Sequence, residues 1–389
     1  MRSRAQPARV RPLRLAVPAV VIALLVCGLA AAPAQATSAA PLVSAVSTSS
    51  DSWVLLPMGD LSDPSNTFWE LFHAAPGFSH WSLVTPPGVA DNGGLVESAS
   101  AGAAVVGVLP SDLLRFSPLA QSANSGNSWL PAFLPGALAP LPDALAYDSM
   151  GAIALLSGGR ALSGSGGLSS WSPLVTAATL SRVSPGCSVD GLDAAAFLPS
   201  GVPLIAAGCR RGGEVALFTR TAAIWQSAGL TLGGPLRGAA TVVLRMESTA
   251  AVTTVLALAS RNGRRALVAL WRSGSAPWAM ATPLALGSGA SVRSTAVNPA
   301  GDVAVLLGDG GAREAVDVAP SGTWNRLPRL PARTAALALP ADALPSSGPD
   351  VDAFTVGGAS LGVFSLTPSG EAWARVQSSQ IALAYGSSS

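Results

Sequence analysis

Short apolar runs broken by clusters of Gly, Pro and Ser recur along the chain from about residue 50 onward. Residues 292–297 read as one strand, Asn298-Pro299-Ala300-Gly301 as a turn, and 303–307 as the next strand. The order repeats upstream, where 193–198 leads through Pro199-Ser200-Gly201 into 203–207. A second hairpin follows in each unit. Ala315-Val316-Asp317-Val318 leads through Pro320-Ser321-Gly322 to Trp324, and 362–366 leads through Thr367-Pro368-Ser369-Gly370 to Trp373. Each unit therefore predicts four short strands joined by tight turns, the fourth opening on a tryptophan. No stretch beyond residue 36 sustains the 3.6-residue apolar period of an amphipathic helix.

Those tryptophans set the larger rhythm. Trp81, Trp129, Trp171, Trp225, Trp278, Trp324 and Trp373 follow one another at intervals of roughly fifty residues, a period that points to a propeller or a solenoid. Four hairpin-linked strands per period is a propeller blade. The tail 380–385 reads as an opening strand like Ala144-Leu145-Ala146-Tyr147. The first unit, by contrast, reads as three strands, 53–57, 68–72 and 81–85, with no opening strand. The expectation is an all-β fold over 51–389: seven four-stranded antiparallel blades, the ring closed by a composite N-/C-terminal blade that leaves no sheet edge open. The tryptophans should be packing wedges between blades, each indole N–H finding a carbonyl.

The first residues stand outside this pattern. Arg2, Arg4, Arg9, Arg11 and Arg14 precede an apolar run over 15–32, and Ala34-Gln35-Ala36 offers a small-x-small cleavage site. Residues 1–36 read as a secretory signal peptide, followed by a flexible linker over 37–50. The mature protein is expected outside the cell or in its envelope, free of the membrane and monomeric. The chain has 23 basic residues, all arginine, against 21 acidic ones. Removing the five leader arginines leaves a small acidic excess, which argues against nucleic acid or an anionic membrane as partner.

Two families share features with these repeats. Pro320-Ser321-Gly322-Thr323-Trp324 and Pro368-Ser369-Gly370-Glu371-Ala372-Trp373 resemble degenerate Asp-boxes, the Ser-x-Asp-x-Gly-x-Thr-Trp turn of sialidase-like propellers, with the box aspartate missing. The pairs Gly158-Gly159, Gly212-Gly213, Gly310-Gly311 and Gly357-Gly358, each ahead of a tryptophan, are similar to the kelch repeat. Both resemblances imply the same blade. The first would imply a tyrosine nucleophile, an arginine cluster and acidic catalysts. Tyr147 and Tyr385, the only tyrosines, occupy equivalent repeat positions, which marks them as structural.

The remaining chemistry is sparse. Gly358-Ala359-Ser360-Leu361-Gly362 matches the nucleophile-elbow pattern but falls in a hairpin turn without the following helix the elbow needs. His73 and His80, the only histidines, have no third metal ligand near them in sequence. No catalytic, metal-binding or cofactor-binding set emerges. Cys187 and Cys209 flank two antiparallel strands, so an oxidised, exported chain should join them. Arg182, Asp190, Asp193, Arg210 and Arg211 gather charge around that pair in a charge-poor sequence and form the candidate binding rim. The expected function is a secreted, non-catalytic binding or scaffold propeller for a protein or glycan. A sialidase-like glycoside hydrolase and a purely structural surface protein are the alternatives.

Overall fold

The computed structural model describes residues 44–48, 51–59, 67–75, 80–86, 94–100, 103–108, 118–133, 144–156, 158–165, 167–309, 311–320, 322–340, 350–367 and 369–381. Their regular secondary structure is almost entirely strand, arranged as antiparallel hairpins. Five sheets have four strands each in sequence order: Ser44–Ser47 to Ser82–Leu83, Gly94–Ser100 to Leu130–Phe133, Ala144–Asp148 to Trp171–Thr176, Ser291–Val297 to Asn325–Arg326, and Thr334–Ala338 to Trp373–Gln380. A ten-stranded sheet holds two further units, Val189–Phe197 to Ile224–Ser227 and Ala240–Ser248 to Ala279–Met280, joined at the single pair Cys209–Thr241.

The second strands form the core. Gly151–Leu156 is buried throughout, and Val303–Asp309 is buried except at its last residue. Uninterrupted apolar runs such as Val303-Ala304-Val305-Leu306-Leu307 suit this place, because a strand covered on both faces has no polar side to show. The tryptophans hold the fourth-strand position that the repeat predicts, though not every indole N–H finds a carbonyl. Each opens its unit's fourth strand or lies within a residue of its start. Trp129, Trp278 and Trp373 donate their indole N–H groups to the carbonyls of Val84, Ala228 and Pro328, in each case across to the preceding unit, at 2.9, 2.9 and 3.2 Å. Trp171 bonds within its own sheet to Leu168 O, and Trp324 buries its indole N–H with no partner among the described residues.

Three features depart from the sequence reading. The first sheet takes its opening strand from Ser44–Ser47, paired as Val46↔Trp53 and Ser47↔Ser52, so a linker over all of 37–50 and a composite blade are both corrected. The buried apolar residues of that strand are Ala45 and Val46, too short an alternation to stand out against its Ser, Ala and Thr neighbours. Residues 382–389, which hold most of the expected closing strand, and the signal segment lie outside the described residues. Finally, an α-helix, Ala177–Val183, interrupts the all-β pattern; Thr176 caps its N-terminus and only Leu180 is buried, so it carries no apolar stripe for the sequence to reveal.

First and last sheets meet. Ala45, Val54, Leu56, Met58, Phe72 and Trp81 share one apolar cluster with Ala336, Phe354 and Val363. Within each unit the strands alternate in direction. One end of a sheet therefore carries the beginning of its first strand and the hairpin between its second and third; this is its start end. The opposite end carries the turn between its first and second strands and is its return end.

Candidate functional site

The predicted rim lies at the start end of the unit that begins at Val189. A disulfide joins Cys187 and Cys209, whose Cα atoms are 5.2 Å apart. It pins the approach to the first strand against the end of the second. Gly212 and Gly213, both at positive φ, then turn the chain into Glu214–Thr221. Glu214 accepts the Ser184 hydroxyl at 2.9 Å, tying the helix exit to the same hairpin.

Three of the five rim residues come together. Arg210 Nε lies 3.0 Å from Asp190 Oδ2. Asp193 Oδ2 accepts the Val243 backbone N–H at 2.8 Å, from the first strand of the next unit. Both carboxylates flank Gly208: a Cβ there would stand 2.7 Å from Asp190 Oδ1 and 3.3 Å from each Asp193 oxygen. Burial pushes the Asp193 carboxyl up to about 7; the Val243 N–H pulls it down and the Asp190 charge adds to the rise. Arg182 bonds instead to its own helix at Ala178 O, and Arg211 is exposed. Among the described residues no hydrogen bond or ion pair joins either of them to the cluster.

The other acids with raised proton affinity serve the framework. Asp352, raised to about 6 by burial, accepts the Trp81 indole N–H at 3.0 Å and the Ser365 hydroxyl. Asp317, also raised to about 6 by burial, is held by Asn325. Asp302 is raised by burial and bonded by the Asn298 amide at 3.0 Å, closing the turn that the Asn-Pro-Ala-Gly sequence predicts. His73 is buried, its ring 4.4 Å from that of Trp53 and its Nε2 3.4 Å from Asp51 Oδ2, while His80 is exposed. Among the described residues no group of three His, Cys, Asp or Glu side chains could hold a metal ion.

Sequence reasoning missed a groove. Pro328, Arg329 and Pro331, in the connection to the last sheet, face Phe364, Glu371, Ala372 and Trp373 across a cavity of about 380 Å³. The Leu327-Pro328-Arg329-Leu330-Pro331 run was its one sequence signal, but its partners lie in the next unit. Proline and aromatic walls beside Arg329 and Glu371, both exposed, suit the binding of an amphipathic ligand.

No family model matches the chain, and no curated protein matches it. Solved structures do. The β-propeller domain of Myceliophteria thermophila Cps50 (Swd1) matches at 10% identity, covering 80% of this chain and 96% of that one, with a TM-score of 0.51. A putative 6-phosphogluconolactonase from Bacteroides uniformis matches at 9% identity, covering 86% of this chain and 97% of that one, with a TM-score of 0.51. YCF48 bound to D1 peptide is 15% identical over 78% of this chain and 88% of its own, with a TM-score of 0.47. At these identities the likeness shows a β-propeller fold alone. Neither a sialidase-like nor a kelch origin is singled out, and the fold hosts unrelated activities.

Proposed function

We propose that the chain is an exported, monomeric, non-catalytic binding propeller of seven four-stranded blades, its ring closed by packing of the first sheet on the last. Five separate four-stranded sheets and two units in the ten-stranded sheet support the blade number. The shared cluster of Ala45, Phe72 and Trp81 with Ala336 and Phe354 supports closure. The disulfide is compatible with export.

The observation that carries the binding reading is how the acids of high proton affinity are used. Asp352, Asp317 and Asp302 are each bonded to side chains of the framework, whereas the concave surface of aromatic and proline residues at Trp373 is open. A general acid needs its proton within reach of a substrate; these carboxyls are committed to holding strands and turns. The test is an array of neutral glycans and proline-containing peptides probed with the secreted protein. Saturable binding without consumption of the ligand is expected, weakened at least tenfold by Arg329→Ala with Glu371→Ala, both exposed positions. Turnover of any glycan would sink the reading.

One observation favours a glycoside hydrolase instead. Asp190 and Asp193 stand together at Gly208, and burial raises Asp193 to about 7, as a general acid beside a second carboxylate requires. Glycan cleavage that disappears in Asp193→Asn while the fold persists would establish it.

A further inference from the structure

Net charge is a scalar, and the small acidic excess hides a division between the two ends of the sheets. Asp51, Asp148, Asp302, Asp352 and Glu371 lie in or beside return-end turns. The start end is rich in arginine. Arg261 and Arg264 close the hairpin of the unit that begins at Ala240, directly opposite one another across the ladder. Arg293 lies where the next first strand is bulged, and Arg313 pairs with Gly308 in the same sheet. Arg333 precedes the first strand of the last sheet. All five are exposed.

These start ends stand side by side. The Arg265 guanidinium bonds to the carbonyls of Gly287, Ser288 and Ala290, tying its hairpin to the segment that leads into Arg293. The Leu337 backbone N–H donates to Ser294 Oγ at 3.3 Å, so the next two first strands also begin together. Glycine makes room for the guanidinium groups. A Cβ at Gly308 would stand 2.8 Å from Arg293 Nε, and one at Gly357 3.0 Å from Arg333 Nη1.

Among the described residues none of these five arginines forms an ion pair. Arg261 faces Arg264, and Arg293 lies close enough to Arg313 to lower its proton affinity beyond what burial does. Like charges directly opposite in a ladder oppose folding. Most start-end acids are engaged elsewhere: Asp190 with Arg210, Asp193 with Val243, Glu214 with Ser184, and Glu314 with Arg326 at 3.0 Å; Asp309, opposite Ala312 in the Arg313 hairpin, is among the described residues the one carboxylate within the strip. Such local conflicts in an otherwise consistent fold mark places where a partner supplies the missing term.

We propose that Arg261, Arg264, Arg293, Arg313 and Arg333 form a strip that binds a linear acidic polysaccharide. Cations stepping from unit to unit match an anion that repeats along a chain, and each planar guanidinium can grip a carboxylate or sulfate with two parallel hydrogen bonds. The residues between them, Asn262, Gly263, Gly287, Ser288, Gly308 and Gly358, are small or polar. They suit a hydroxylated chain better than the apolar anchors of a protein interface, and they include no aromatic ring on which a base could stack. The strip rests on the binding reading but does not use the groove at Trp373.

The experiment compares full-length secreted protein on polygalacturonate, its neutral methyl ester, polyglutamate and duplex DNA at 50 and 200 mM salt. Saturable binding to polygalacturonate is expected, weakening about tenfold or more between the two salts as counterions are released. The variant R264Q/R293Q/R313Q/R333Q should bind at least about tenfold more weakly with a shallower salt slope. Arg220→Gln with Arg375→Gln, away from the strip, should stay within about twofold of the parent. Arg293→Glu alone serves as the second variant, with circular dichroism confirming the fold of each. No binding, equal binding to the methyl ester, or tighter binding to polyglutamate or DNA overturns the proposal. Cleavage of polygalacturonate would overturn the non-catalytic reading and leave the strip standing; loss of binding in Arg329→Ala with Glu371→Ala would move the site to the groove.

Discussion

The seam between the first and last sheets and the seam inside the ten-stranded sheet bring neighbouring units together by different means. Inside the ten-stranded sheet the two units touch through backbone, at Cys209↔Thr241, and through Asp193, which accepts the Val243 N–H. The disulfide stands at the same place. The first and last sheets have no such ladder pair among the described residues; their polar contacts converge on one residue. The Trp81 N–H donates to Gln377 Oε1 at 2.8 Å, Gln377 Nε2 donates back to Trp81 O at 2.9 Å, and the Trp81 indole N–H reaches Asp352. The Trp81 ring meets Phe354 edge-on, with centroids 4.9 Å apart. Units adjacent in sequence can lean on backbone pairing and on short covalent loops. Units separated by nearly the whole chain carry a larger loop-closure cost, and here a buried tryptophan and a side-chain amide that imitates a neighbouring strand offset it.

If that contrast is right, Trp81→Ala should have the largest effect. Deleting a buried aromatic ring together with its hydrogen bonds should cost about 3–5 kcal/mol in denaturant unfolding. Hydrogen exchange should show the C-terminal sheet losing protection before the ten-stranded sheet; uniform loss would remove the distinction. Replacing both cysteines, Cys187→Ser with Cys209→Ser, opens a loop of 22 residues and should cost about 3 kcal/mol, with the early exchange confined to 187–214. Gln377→Ala leaves the Trp81 backbone groups without their partners and should cost about 1–3 kcal/mol, measured by the same unfolding.

The smallest effect is one of pH. Asp352 and Asp193 bind their protons more tightly folded than unfolded, at about 6 and about 7. The folded state therefore holds more protons than the unfolded one between the ordinary carboxyl range and those values. Stability from these groups is fully present below that range and falls as pH rises through 6 and then 7. The melting temperature should be higher at pH 5 than at pH 8. Asp352→Asn should flatten the fall below about 6 and Asp193→Asn the fall all the way up to about 7, the part above 6 being Asp193's alone, with Asp317 adding to the lower part in both. A melting temperature that rises between pH 5 and pH 8 would contradict the assignment of these groups.

Much of the framework was legible in the sequence. The turns Pro199-Ser200-Gly201 and Asn298-Pro299-Ala300-Gly301, the hairpin at Gly357-Gly358 and the fourth strands beginning at tryptophan are all local signals, written in residues that set φ or fill a wedge. The cysteine pair was legible for the same reason, since both partners flank one hairpin. The opening strand Ser44–Ser47 and the helix Ala177–Val183 were not, because one is too short and the other too weakly apolar to show a period. Of the rim, Asp190 and Arg210 meet as an ion pair, a contact that the gathering of charge around the cysteines did not specify. Arg182 turns onto its own helix, and the partner of Asp193 is a backbone group in the following unit.

By itself, then, the sequence determined strand positions, turn chemistry, the roughly fifty-residue repeat and the cysteine pairing, each an interaction between residues close along the chain. Tertiary structure alone decided which acids would be buried and raised, that Trp81 would close on Asp352 and Gln377, and that arginines scattered through neutral-looking hairpins would gather at one end of the sheets. The reason is geometric. Alternating strand direction sends every second turn to the same end, so charges about twenty to thirty residues apart in a nearly balanced chain become neighbours only when the units stand side by side.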